Sequence, residues 1–206
     1  MYPESINAKT RHVLEKIKKS GLAQNFYLAG GTALAIQLGH RESIDLDFFY
    51  REEFSNSKLK EELSKIGDYF LTSEEEGTLH GTLDDVKVSF LKYNYDQLYS
   101  PLEFEGINLA DLRDIAAMKI DAISSRGSKK DFMDLYFLLE KYSLVELMAF
   151  FEKKFKNIHY NKLHILKSIT FFVEAENDPL PMMLKNVSWE NVKKKIEEES
   201  KTRLSL

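Results

Sequence analysis

The sequence predicts a mixed α/β (α+β) protein: a mixed β-sheet with flanking helices in the first half, followed by a C-terminal helical lobe. Three observations predict it. Short apolar strands alternate with helical segments in the first third of the chain. Alternating segments rich in β-branched and aromatic residues follow between Tyr69 and Tyr93. From Asp111 onward the apolar periodicity is helical almost throughout. We expect an α/β domain over residues 1–105 and a helical domain over residues 106–206.

Each element follows from a local pattern. Residues 8 to 20 read as an amphipathic helix, with Val13, Leu14 and Ile17 on one face and lysines at the end where the helix dipole favours cations. Asn25 to Ala29 is a short aromatic and apolar run, as expected of a buried strand. It passes through Gly30-Gly31 into a short helix, Thr32 to Leu38, stopped by Gly39. Ile44 to Tyr50 reads as a second strand. Ser55 or Ser57 caps a helix that carries Leu59, Leu63 and Ile66 on one side and stops near Gly67. The segments FLTSE, GTLHGTL and VKVSFLKY form a β-meander, with Asp84-Asp85 as the turn between two strands. The helical half breaks at Gly127-Ser128, around Tyr142-Ser143 and at Asn177 to Pro181.

Composition narrows the class. A chain of 206 residues buries a core without staples, and four prolines and nine glycines leave little room for a long disordered linker. The absence of cysteine excludes a disulfide framework and a cysteine-ligated zinc site, and it fits a reducing cytosol. The charged N-terminal segment lacks an apolar signal core, and no run approaches the ~20 apolar residues that span a bilayer. A cytoplasmic protein with no membrane partner is therefore expected. A net charge of -4 argues against a chain that coats nucleic acid non-specifically. The lysines at 153, 154 and 156 and at 193 to 195 read as solvated helix faces, with a local RNA-binding patch as the alternative.

The most informative stretch is LAGGTALAIQLGHRESIDLDFFY, residues 28 to 50. On a strand, Ile44, Leu46 and Phe48 point one way while Asp45 and Asp47 point the other. Two like charges there repel and resist desolvation unless a cation lies between them, and Mg²⁺ is typically held by one or two carboxylates together with substrate phosphates. An edge strand with both aspartates in water is the alternative for an isolated D-x-D. Upstream, however, a strand ends in Gly30-Gly31 and a helix begins, with the hydroxyl of Thr32 at the same point. Glycines permit close backbone approach, and helix N–H groups bind phosphate oxygens. The pattern sets a phosphate cradle beside a metal site.

The run GGTAL followed by LGHRESIDLDFF resembles the signature of the DNA polymerase β-type nucleotidyltransferase superfamily, and more narrowly of the AbiEii/AbiGii toxin family. The resemblance implies a nucleotidyltransferase fold in which Gly30, Gly31 and Thr32 handle the triphosphate and Asp45 and Asp47 hold Mg²⁺ or Mn²⁺. Arg41 and Ser43 match the arginine and hydroxyl residue that usually precede the acids, Arg41 either contacting phosphate or pairing with an acid.

A second clue lies in the helix from Asp111 to Arg126. Leu112, Ile115, Ala116, Ala122 and Ile123 form an apolar stripe, with Asp114 and Asp121 opposite, and Lys119 falls within the stripe. Two readings stay open: a lysine whose ammonium snorkels to water, or one aimed at a polar cleft to neutralise phosphate charge. Next, Ser128 to Asp131 reads as a capping box, and Phe132, Leu135, Tyr136 and Leu139 as the core stripe of the following helix. MKIDAISSRGSKKDFMDL, residues 118 to 135, also resembles the second signature region of the toxin family. This implies active-site roles for Lys119 and Asp131, with Arg126 and Lys130 assisting. The C-terminal segment FFVEAENDPLPMML and the surroundings of Trp189 resemble the family's C-terminal part; read from the residues alone, Phe171 and Phe172 are core.

One position departs from the superfamily pattern. Polymerase β-type enzymes generally carry a third carboxylate on a neighbouring strand, here Val86 to Lys92, and Ser89 stands where that acid is expected. A serine removes the obvious general base. Either Asp131 substitutes, or one metal and positioning suffice, or the chain binds nucleotide without turnover. The resemblance thus implies a metal-dependent transfer of a nucleoside monophosphate from a nucleoside triphosphate to a hydroxyl, Lys119 offsetting charge on departing pyrophosphate. The acceptor it suggests is RNA, at the 3′ end of a tRNA, in a toxin paired with a cognate antitoxin. A catalytically inactive nucleotide- or partner-binding module, and a transferase acting on a protein or small molecule, are the rivals.

Overall fold

The computed structural model describes residues 1–204, with side chains described through residue 201. The chain divides into two compact units, Met1–Asp111 and Leu112–Leu206.

The first unit is built on a seven-stranded mixed sheet. Helix α1 (Ala8–Lys19) starts where the Asn7 side chain accepts from the Thr10 N–H, and it buries Val13, Leu14 and Ile17. Strand β1 is only Tyr27–Leu28, because residues 22–24 coil into a 3₁₀ turn ahead of it. Helix α2 (Gly30–Leu38) opens at the first of the two glycines, earlier than the sequence suggested, and ends at Gly39 with φ 62°. Strand β2 (Leu46–Tyr50) starts two residues later than expected, so Ile44 lies outside it and is 54% exposed. Ser55 caps α3 (Asn56–Ile66), accepting from the Lys58 N–H.

The meander is present as β3 (Tyr69–Glu75), β4 (Thr78–Leu83) and β5 (Val86–Lys92). Asp84 and Asp85 both adopt positive φ, the geometry of the two-residue hairpin turn expected of this pair. The Asp84 carboxylate accepts from the Asp68 N–H at 3.0 Å and from Lys16 at 2.7 Å. A second hairpin, β6 (Leu102–Phe104) and β7 (Ile107–Leu109), was not read from the sequence; its three-residue strands are too short to show a period.

The strand order is β3-β4-β5-β2-β1-β7-β6. Strand β2 runs parallel to β5 and antiparallel to β1, and β1 runs parallel to β7. One face of the sheet carries the core: Leu46, Phe48, Leu79, Val88 and Phe90 are all buried. Phe48 stacks on Phe90 with ring centroids 5.1 Å apart, and Phe26 meets Phe90 edge-on at the same separation. The other face carries the alternate residues, among them Asp47 and Ser89.

The second unit is helical: α4 (Leu112–Ser125), α5 (Lys129–Leu139), α6 (Leu144–Lys154), α7 (Lys162–Ser168) and α8 (Trp189–Leu204). Helix α4 packs against α5, α6 and α7, and α5 against α8. The capping box expected at Ser128 to Asp131 does not form; a reciprocal one opens α6 instead, between Ser143 and Glu146. Two expectations of exposure also fail. Asp114 and Lys154 are buried as a 2.7 Å ion pair joining α4 to α6, because each charge supplies what the other needs to leave water. Phe171, expected in the core, is 55% exposed, while Phe172 is buried against Phe132 and Trp189.

Candidate active site

The local fold around α2 follows from its glycines. Strand β1 ends as the Ala29 N–H donates to the Asp47 carbonyl at 3.0 Å, and the chain then turns into α2 at Gly30, whose φ is 67°. A left-handed turn there suits glycine. Its missing side chain also makes room for Asp47: a Cβ at Gly30 would lie 3.1 Å from Asp47 Oδ2. The carboxylate thus sits beside the opening of α2, where the N-cap residue Ala29 has no side chain to cap the helix. At a helix start the exposed N–H groups and the dipole favour anions.

Gly31 makes room for a cation. A Cβ on it would collide with the guanidinium of Arg41, which is buried and donates from Nη1 to the Glu42 carbonyl at 3.1 Å. Thr32 is 1% exposed, so its hydroxyl is turned inward. It donates to the backbone carbonyl of Asp45 and lies 2.8 Å from Ser43 Oγ. A hydroxyl has one proton, so the second bond runs from Ser43 to Thr32. The segment ahead of β2 is held further by Ser43 N–H to the Ser5 carbonyl at 2.8 Å and Thr10 Oγ1 to the Ile44 carbonyl at 3.3 Å. Gly30, Gly31, Thr32, Arg41, Ser43, Asp45 and Asp47 thereby gather around the start of α2 and of β2.

Asp45, just ahead of β2, and Asp47, on its open face, are both half-exposed. Among the described residues no three His, Asp or Glu side chains converge as a metal cage. Two carboxylates completed by water and substrate phosphate oxygens suit Mg²⁺, so the donor set fits that ion without a third protein ligand.

Lys119 and Asp131 come together within the second unit. The Lys119 ammonium lies 2.9 Å from Asp131 Oδ1 and 2.6 Å from Asp134 Oδ2, with its side chain 6% exposed and both carboxylates fully buried. It does not snorkel; two acids hold it inside. Asp131 also accepts from Arg126 Nε at 2.9 Å and from Ser128 Oγ at 2.6 Å. Burial alone would raise the Asp131 carboxyl, but Lys119, Arg126 and Ser128 together outweigh it and hold the group well below the usual carboxylate range. Asp134 went unread in the sequence. Its signal was there: two acids three residues apart on a buried helix face need a cation, the same reasoning that singled out Asp45 and Asp47.

The model of the family described as nucleotidyl transferase AbiEii toxin, type IV toxin–antitoxin system, matches residues 12–203. The chain belongs to this AbiEii family. It is therefore a nucleotidyltransferase of the toxin type. An uncharacterised protein of Aquifex aeolicus (strain VF5) is 40% identical over 179 residues, which cover 84% of this chain and 86% of that one. Two solved structures share the fold. A protein of H. pylori assigned as a nucleotidyltransferase superposes with a TM-score of 0.61 at 17% identity, covering 98% of this chain and 95% of its own. MenT4, a nucleotidyltransferase toxin of Mycobacterium tuberculosis H37Rv, superposes with a TM-score of 0.55 at 14% identity, covering 95% and 86%. In this AbiEii protein no helix among the described residues is long and apolar enough to cross a membrane.

Proposed function

We propose that this AbiEii protein moves a nucleoside monophosphate from a nucleoside triphosphate to an RNA hydroxyl, with a tRNA 3′ end as the preferred acceptor. It would act in the cytoplasm as a toxin restrained by a cognate antitoxin. The observation that carries the reading is the close approach of Asp47 to Gly30, which sets a carboxylate against the start of α2.

In this reading the backbone N–H groups of Gly30, Gly31 and Thr32 take the phosphate oxygens of the nucleotide, and Arg41, seated behind Gly31, adds positive charge. The Thr32 and Ser43 hydroxyls hold the Asp45 segment in place rather than touching phosphate. Asp45 and Asp47 hold Mg²⁺ or Mn²⁺, which when bound neutralises phosphate charge and lowers the barrier to attack. Lys119 and Asp131 are also residues the reaction needs. Because the Lys119 charge is already matched by two carboxylates, its part includes keeping Asp131 fixed.

The test is to incubate the purified protein with each labelled nucleoside triphosphate, Mg²⁺ and total bacterial RNA, beside the Asp45→Ala/Asp47→Ala double variant. Label on RNA with the wild type alone is the expected result, and it identifies the nucleotide. A double variant as active as the wild type would sink the assignment of these residues. Transfer to protein rather than RNA would replace the acceptor.

A further inference from the structure

The register of the sheet lines up three polar residues on its open face. Asp47 on β2 pairs with Ser89 on β5, and Ser89 pairs with His80 on β4. Residues directly opposite one another on neighbouring strands project from the same face. The alternation agrees: Val88, Phe90 and Leu79 are buried on the core side, whereas Asp47, Ser89 and His80 are each half-buried on the other. His80 Nδ1 lies 3.0 Å from Ser89 Oγ. A Ser–His couple therefore starts one strand away from the carboxylate that the proposed reaction uses, with Ser89 the nearer member and His80 one strand further.

We infer that Ser89 and His80 together take the proton of the attacking hydroxyl, an inference that rests on the nucleotidyl-transfer reading above. Attack on the α-phosphorus requires the acceptor to lose a proton. A serine hydroxyl does not keep one near neutral pH, but an imidazole does. With the ring hydrogen on Nε2, Nδ1 accepts from the Ser89 hydroxyl. In the step, the acceptor oxygen bonds the α-phosphorus as its O–H bond breaks, and that proton passes to Ser89 Oγ. Ser89 gives its own proton to His80 Nδ1, so the serine stays neutral and the imidazole becomes positive. The bond from the α-phosphorus to the bridging oxygen breaks, and pyrophosphate leaves with that electron pair. Solvent removes the proton from His80 before the next turnover. Asp47 and Ser89 in register bring proton acceptance to the strand beside the carboxylate, without an acid at residue 89.

Four proteins test this with the nucleotide and RNA of the transfer assay: wild type, Ser89→Ala, His80→Gln, and His80→Gln combined with Ser89→Asp. Ser89→Ala removes one buried-edge hydroxyl and leaves the packing of β5 intact, so it reads the couple even where a histidine variant folds poorly. The expected result is a loss in kcat of about 100-fold in both single variants with KM for the nucleotide unchanged. The double variant recovers about tenfold or more of the loss, since a carboxylate in register with Asp47 accepts the proton directly. A merely structural strand-to-strand hydrogen bond would not be rescued by that acid. Either single variant at wild-type kcat, or a double variant with no recovery, overturns the couple while leaving nucleotidyl transfer standing. A wild type that transfers nothing from any nucleotide overturns both.

Discussion

The carboxylate of Asp47 rests against the α-carbon of Gly30, at a position where a Cβ would lie 3.1 Å from Oδ2. Two requirements fall on this one glycine. It must hold φ at 67°, and it must leave the space the aspartate occupies. Gly30→Ala therefore meets both penalties. The left-handed backbone costs about 1–2 kcal/mol, and the added methyl displaces the carboxylate. We expect a loss of unfolding free energy of that order in equilibrium denaturation together with loss of nucleotide transfer, whereas Gly77→Ala, at a hairpin turn distant in sequence, should lower stability without the same loss of transfer.

Lys119 should matter to the fold before it matters to chemistry. Lys119→Met removes the ammonium from between the buried Asp131 and Asp134, and breaking a buried pair in this way costs about 3–5 kcal/mol. Equilibrium denaturation read beside transfer activity separates the two effects. A variant as stable as the wild type would show that the knot does not hold α4 to α5.

Acid should weaken the same knot. The Asp131 carboxyl is held below its unfolded value, so its stabilisation is complete above the unfolded pKa of about 3.9 and is lost as pH falls from there through the folded value. Thermal melts are expected to be insensitive to this group from pH 7 to about 5 and to fall below about pH 4. Asp131→Asn, less stable at neutral pH, should show a shallower acid limb; an acid limb as steep as that of the wild type would assign the effect elsewhere.

The Asp114–Lys154 pair offers a cleaner cycle because both side chains are 1% exposed. Lys154→Met alone should cost about 3–5 kcal/mol, while Lys154→Met with Asp114→Leu should return close to wild type, since well-packed apolar groups often replace a buried ion pair without loss. Denaturant midpoints of the two singles and the double decide it.

Much of the first unit was legible because its signals are local. Helix α1, the cap at Ser55, the stop at Gly39 and the Asp84-Asp85 turn each depend on a few adjacent residues, and each stands where the pattern put it. Strands β6 and β7 were missed for the opposite reason: they exist through pairing with one another and with β1, not through their own three-residue periods.

The sequence by itself determined the family, because GGTAL and D-x-D are patterns of adjacent residues that can be read without the fold. It also determined the alternation that divides β2 and β5 into an apolar and a polar face. Tertiary structure decided which polar residues meet. Charge pairing acts across space, so Asp114 and Lys154, forty positions apart, left the surface together, and Asp134 joined Lys119. Strand register placed Ser89 beside Asp47 and His80 beside Ser89, a neighbourhood that no linear spacing records.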